Sequence, residues 1–141
     1  MVGQEHLKPT ITITAEMLTG KAKTFVENCG ASAVGITTLE TLEGGPPSTD
    51  LEYVLPGAKS AVTFALPLDQ DKIRDYLAKQ DRDGHQVDYN DTNTMATGVA
   101  SQLASFFKEC GFEAVGVQAN QVYRNDDQSV PWEQHPDISH R

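Results

Sequence analysis

A chain of 141 residues is one domain by length. A domain of this size buries roughly 68–70% of its unfolded surface, enough for a core without staples. Its formal net charge of −9, with only 11 Lys and Arg, lacks the basic footprint of a duplex or tRNA binder, so no nucleic-acid contact is expected through this segment.

No apolar run nears the ~18 residues of a membrane span. The N-terminus, MVGQEHLKPTITIT, lacks the basic-then-apolar order of a secretory signal, so a cytoplasmic location without a membrane partner is the expectation. Two cysteines are too few for a disulfide framework. They are expected to be reduced, buried core residues. A hydrophobic fraction of 38% and a mean hydropathy of −0.42 suggest generous loops or tails around a modest core.

Residues 1–13 read as a tail, although ITIT at 11–14 alternates as a short strand would. Thr14 is the expected N-cap of a first helix, with Glu16 and Met17 in its first turn. Leu18, Ala22, Phe25, Val26 and Cys29 share one helical face, and Gly30 closes it. The run AVGIT at 33–37 then reads as a buried strand, with Gly35 in a packing or bulge role or, alternatively, letting another backbone or a ligand come close. Residues 39–58 are turn-rich, with a short helix expected at 50–54 capped by Ser48 or Thr49. A β-branched and aromatic run at 60–66 is the second core strand, ended by Pro67.

Asp69 is placed to cap a second helix carrying Ile73, Tyr76 and Leu77 on one side. The segment at 81–93, DRDGHQVDYNDTN, reads as a solvated polar loop. Its density of His85, Asp88, Tyr89, Asn90 and Asp91 also makes it the local candidate for lining a site. A metal site of His85, Asp88 and Asp91 has suitable ligand types but matches no closed motif, and none is assigned. The longest helix is expected to begin near 90–93 and run to 109. Its apolar stripe is Met95, Val99, Leu103, Phe106, Phe107 and Cys110, and small residues at 96, 98, 100 and 104 allow close approach. Gly111 stops it, and 113–119 reads as a third strand. From Asn120 the composition changes to an irregular end with no helical period. The fold expected is thus α+β: a small mixed sheet of about three core strands flanked by three helices, with the core at 14–119, a tail at 1–13 and an irregular segment at 120–141.

Two helix–glycine–strand units stand out. Aligning 25–38 with 106–119 matches Phe, Cys, Gly, Ala, Val and Gly, six of fourteen positions. The glycines fall at GxxxxG spacing but lack the Lys-Ser/Thr of a phosphate loop, and they lie at a helix-to-strand junction, the reverse of phosphate-cradling order.

Several segments in fixed order resemble one family: CGASAVGI, LPGAKSAVTFALP at 55–67, IRDYLAKQDRDGH at 73–85, CGFEAVGV, QANQVYR at 118–124 and HPDISHR at 135–141. Together they resemble the N-terminal portion of the epoxyqueuosine reductase and reductive dehalogenase superfamily, from about residue 18 onward. The resemblance implies a nitroreductase-like partial fold. It also implies cobalamin and two [4Fe–4S] clusters in a full-length relative, with a small-molecule substrate or the corrinoid as partner. The chain contains no CxxC, and the family's cluster ligands follow later, so no cofactor is expected on this segment alone. On this reading the chain is an N-terminal fragment without activity of its own. Tyr89 and Tyr123 are then the candidate proton donors. His85, Asn120, Arg124, His140 and Arg141 are the candidate cofactor-binding residues, the arginines suiting phosphate or carboxylate groups. The alternative is a non-catalytic α/β module that binds a partner or forms a homodimer through an open sheet edge.

Overall fold

The computed structural model describes residues 13–46 and 49–119. Helix α1 (Ala15–Asn28) leads into strand β1 (Ala33–Thr38). A short 3-10 turn at Leu51–Tyr53 precedes strand β2 (Ser60–Ala65), followed by helices α2 (Gln70–Leu77) and α3 (Arg82–Glu109). The chain is therefore a small mixed α+β fold with three helices and, among the described residues, one two-stranded antiparallel sheet.

Each helix begins where a side chain satisfies a free backbone N–H. Thr14 Oγ1 accepts from Met17 N–H at 3.1 Å, Asp69 Oδ1 from Asp71 and Lys72 at 2.9 and 3.2 Å, and Asp81 Oδ1 from Gly84 at 2.9 Å. The third cap corrects two expectations. Residues 81–93 are not a loop, because Asp81 starts α3 and Arg82 is its first residue, about one third of the helix earlier than the apolar stripe suggests. The 3-10 turn is likewise capped by Asp50, whose carboxylate accepts from Glu52 N–H at 3.0 Å, rather than by Thr49; the other expected cap, Ser48, lies outside the described residues.

The helix ends share one device. The N–H of Ala31 reaches the Val26 carbonyl at 3.1 Å and that of Gly30 reaches Glu27 at 3.0 Å; Phe112 to Phe107 and Gly111 to Lys108 repeat the pair at 3.0 Å each. The 6→1 and 5→2 bonds define a left-handed C-terminal stop, with Gly30 at φ 97° and Gly111 at φ 91°. Helix α2 ends the same way, Gln80 to Asp75 at 2.9 Å and Lys79 to Tyr76 at 3.0 Å, but here Lys79 holds the left-handed position at φ 59°.

The core lies between α1, α3 and one face of the sheet. Ala22 and Val26 of α1 meet Val99 and Leu103 of α3, and Val34, Val62, Phe64, Phe106 and Phe107 close around them. The register pairs Val34 with Phe64 and Ile36 with Val62 on one sheet face, and Ala33 with Ala65, Gly35 with Thr63 and Thr37 with Ala61 on the other. Alternation thus sends the large apolar residues to the helices and leaves an outer face of small ones. Three packing expectations change. Cys29 and Cys110 are free but only half-buried, each at a helix C-cap; Cys29 still packs against the core cluster and Cys110 does not. Leu77 of α2 is 72% exposed and Met95 of α3 is 55% exposed, so neither joins the core.

Residues 113–119 form no ladder, so the third strand is absent from the sheet among the described residues. This segment instead lies close to α3. A methyl on Gly116 would sit 3.0 Å from the Ala100 carbonyl carbon and 3.1 Å from Ser101 N. The small residues of α3 therefore do admit a close neighbour, and it is the backbone that follows the same helix.

Candidate functional site

Of the seven residues singled out for chemistry, Tyr123, Asn120, Arg124, His140 and Arg141 lie outside the described residues. The remaining two, His85 and Tyr89, are one turn apart on α3 and share a face. Both are half-buried, and Asp88 stands beside them. The early start of α3 therefore converts a presumed loop site into a rigid helical one.

This face meets α2. The His85 ring lies against that of Tyr76, centroids 4.6 Å apart at an interplanar angle of 31°, a tilted aromatic contact of ordinary strength. His85 Nδ1 is buried without a hydrogen-bond partner among the described residues. Asp88 Oδ2 accepts from the Asp69 backbone N–H at 2.9 Å and fastens the first turn of α2 to α3. Asp69 in turn caps α2 with its own carboxylate. One pair of aspartates thus positions both helices, and the Tyr76–His85 contact fills the space between them.

Asp91 does not join this group. It is exposed, and six residues from His85 it falls on another face of the helix. Among the described residues, no three His, Cys, Asp or Glu side chains gather to hold a metal ion.

Two open hollows lie elsewhere. One, of about 480 Å³, runs along α1 and is lined by Met17, Gly20, Lys21, Thr24, Phe25 and Asn28 with Phe106 from α3. The other, of about 340 Å³, lies over Ala33, Val34, Gly35, Thr63, Phe64 and Ala65 of the sheet. Neither includes His85 or Tyr89. The α1 groove had no signal in the sequence beyond Met17 and Phe25, which there read as one cap-proximal and one core residue. The Tyr76–His85 contact was equally unmarked, since it depends on α2 folding back over a turn that lacks glycine.

The cofactors implied by the resemblance can be set against these residues. A [4Fe–4S] cluster takes four thiolates, and this chain has two cysteines, at the ends of different helices. They do not fit a cluster. Of the residues implied for a corrinoid, the described ones are those of the His85–Tyr89 face, where the His85 ring is already engaged with Tyr76. Comparison with protein-family models, with curated proteins and with solved structures finds no match for this chain.

Proposed function

We propose that this chain is the N-terminal scaffold of a cobalamin- and iron–sulfur-dependent reductase of the epoxyqueuosine reductase and reductive dehalogenase type, working in the cytoplasm on a small-molecule substrate. The observation that carries the reading is the ordered set of family-like segments, above all LPGAKSAVTFALP at 55–67 and HPDISHR at 135–141. The architecture is compatible with it in one respect. Both CGxxAVG units supply helix stops, and the first also supplies Cys29, Ala31 and Val34 to the core. In this role the chain shapes a pocket wall and supplies polar groups such as Tyr89 and Arg124, while the redox centres come from residues that follow. A cobalamin or cluster would supply the electron-transfer chemistry when bound.

Two observations test the proposal. The reading frame beyond Arg141 is expected to continue through a glycine-rich stretch into a cysteine-rich region with the spacing of two clusters. The 141-residue chain itself, reconstituted anaerobically with iron and sulfide, is expected to retain no stoichiometric cluster. A reading frame without those cysteines would remove the basis for the proposal. A second reading, a non-catalytic module that pairs with a partner, draws on one feature of the sheet: among the described residues, β1 pairs with β2 along one edge only.

A further inference from the structure

The outer edge of β1 has a definite chemistry. The β1–β2 register and the bond from Leu39 N–H to the Lys59 carbonyl at 3.1 Å put residues 33, 35, 37 and 39 in hydrogen-bonded pairs with β2. Antiparallel alternation then turns the backbone groups of Val34, Ile36 and Thr38 outward. Thr38 is already closed off: its N–H donates to Thr41 Oγ1 at 2.8 Å and its carbonyl accepts from Leu42 N–H at 3.1 Å. The N–H and C=O groups of Val34 and Ile36 meet no partner among the described residues. Two donors and two acceptors therefore stand in a row, separated by Gly35.

That row is complementary to itself. A two-fold axis requires residue i to face j while j faces i. Setting Gly35 opposite Gly35 of a second copy places Val34 opposite Ile36 and Ile36 opposite Val34, so all four outward groups of each copy are satisfied. The sum of paired numbers is then even, which keeps large side chains on one face, and a shift of one residue would break that match. Ile36 belongs with this face but not with the residues packed on the core cluster, so a cross-strand Val34–Ile36 contact gives it a neighbour. The run 31–39 carries no charge and no proline, whereas β2 is bracketed by Lys59 and Pro67, two features that blunt a sheet edge.

We propose that β1 is a self-association edge, pairing antiparallel with β1 of a second copy about Gly35 to give one continuous four-stranded sheet. This goes beyond the reductase reading and is tested separately from it, by mass rather than by chromophore.

Light scattering on the 141-residue chain is expected to give a mass near twice 15.4 kDa. Ile36→Pro removes only an outward N–H and leaves the β2 ladder in place. By losing two symmetric hydrogen bonds it is expected to weaken the dimer roughly thirtyfold, with an unchanged far-ultraviolet circular dichroism spectrum. Because that variant risks the strand itself, a second one is independent of it. Gly35→Cys, in a Cys29→Ser and Cys110→Ser background, puts two thiols on Cα atoms about 4.5 Å apart in a non-hydrogen-bonded pair, within disulfide reach. It is expected to oxidise to a linked dimer. A wild-type chain that stays at monomer mass overturns the proposal. So does a dimer in which Gly35→Cys fails to cross-link, since the contact would then lie on β2 or along the α1 groove.

Discussion

Lys79 occupies the backbone position that glycine holds at the ends of α1 and α3. Its φ of 59° is costly for a residue with a Cβ, and glycine adopts it freely. Lys79→Gly is expected to stabilise the chain by up to about 1 kcal/mol in urea unfolding. Gly111→Ala, at φ 91°, is expected to cost about 1–2 kcal/mol by the same physics. Gly116 has a different constraint. A methyl there would meet the Ala100 backbone at 3.0 Å, and helix backbone does not yield as a side chain does. Gly116→Ala should destabilise by about 1–3 kcal/mol, and hydrogen exchange should show the loss concentrated at 113–119. These positions separate what the sequence displayed from what it hid. Gly30 and Gly111 announced two helix stops. Nothing marked Lys79 as a third, because left-handed lysine has no signature. Gly116 lay in a run that reads as a third strand, and its contact with Ala100 depends on where that run lies against α3.

At the scale of elements, α3 was the segment most misread. Its apolar period is legible only from about residue 95, and the preceding DRDGHQVDYNDTN is polar enough to pass for a loop. Local hydrogen bonds carry that first stretch. Asp81 caps it, Gln86 Nε2 reaches Asn90 Oδ1 at 3.1 Å, and the Thr94 hydroxyl donates to the Asn90 carbonyl at 3.0 Å. Asp81→Ala should therefore cost about 0.5–2 kcal/mol and fray the first turns of α3, read as faster amide exchange at 82–90 with the core half unaffected. Helix α1 and strands β1 and β2 were legible because periodicity, a cap and a glycine stop agree there. The third strand was not decided by its residues. The run AVGV matches β1 in pattern, but a strand needs a ladder partner, and pattern alone does not supply one. The candidate site was half legible. His85 and Tyr89 do share a face with Asp88, while its partner Tyr76 became visible only once α2 was seen to fold back.

At the scale of the whole molecule, the buried apolar set among the described residues is small: Ala22, Val26, Val99, Leu103, Ala104 and Leu51. The two helices and one sheet face depend on few side chains, so truncation at their centre should be severe. Val26 is 0% exposed, and Val26→Ala is expected to cost about 2–3 kcal/mol, with Leu103→Ala at about 2–5 kcal/mol, measured by chemical denaturation. Among the described residues, no helix is long and apolar enough to cross a membrane. Helices α1 and α3 end at glycine stops, and α1 leads directly into strand β1. The most direct test of the reductase proposal is the visible absorption spectrum of the complete reading frame, purified and reconstituted anaerobically with iron, sulfide and a corrinoid. Bands of both a cobalamin and iron–sulfur clusters are the expected result; a colourless, folded product would contradict it.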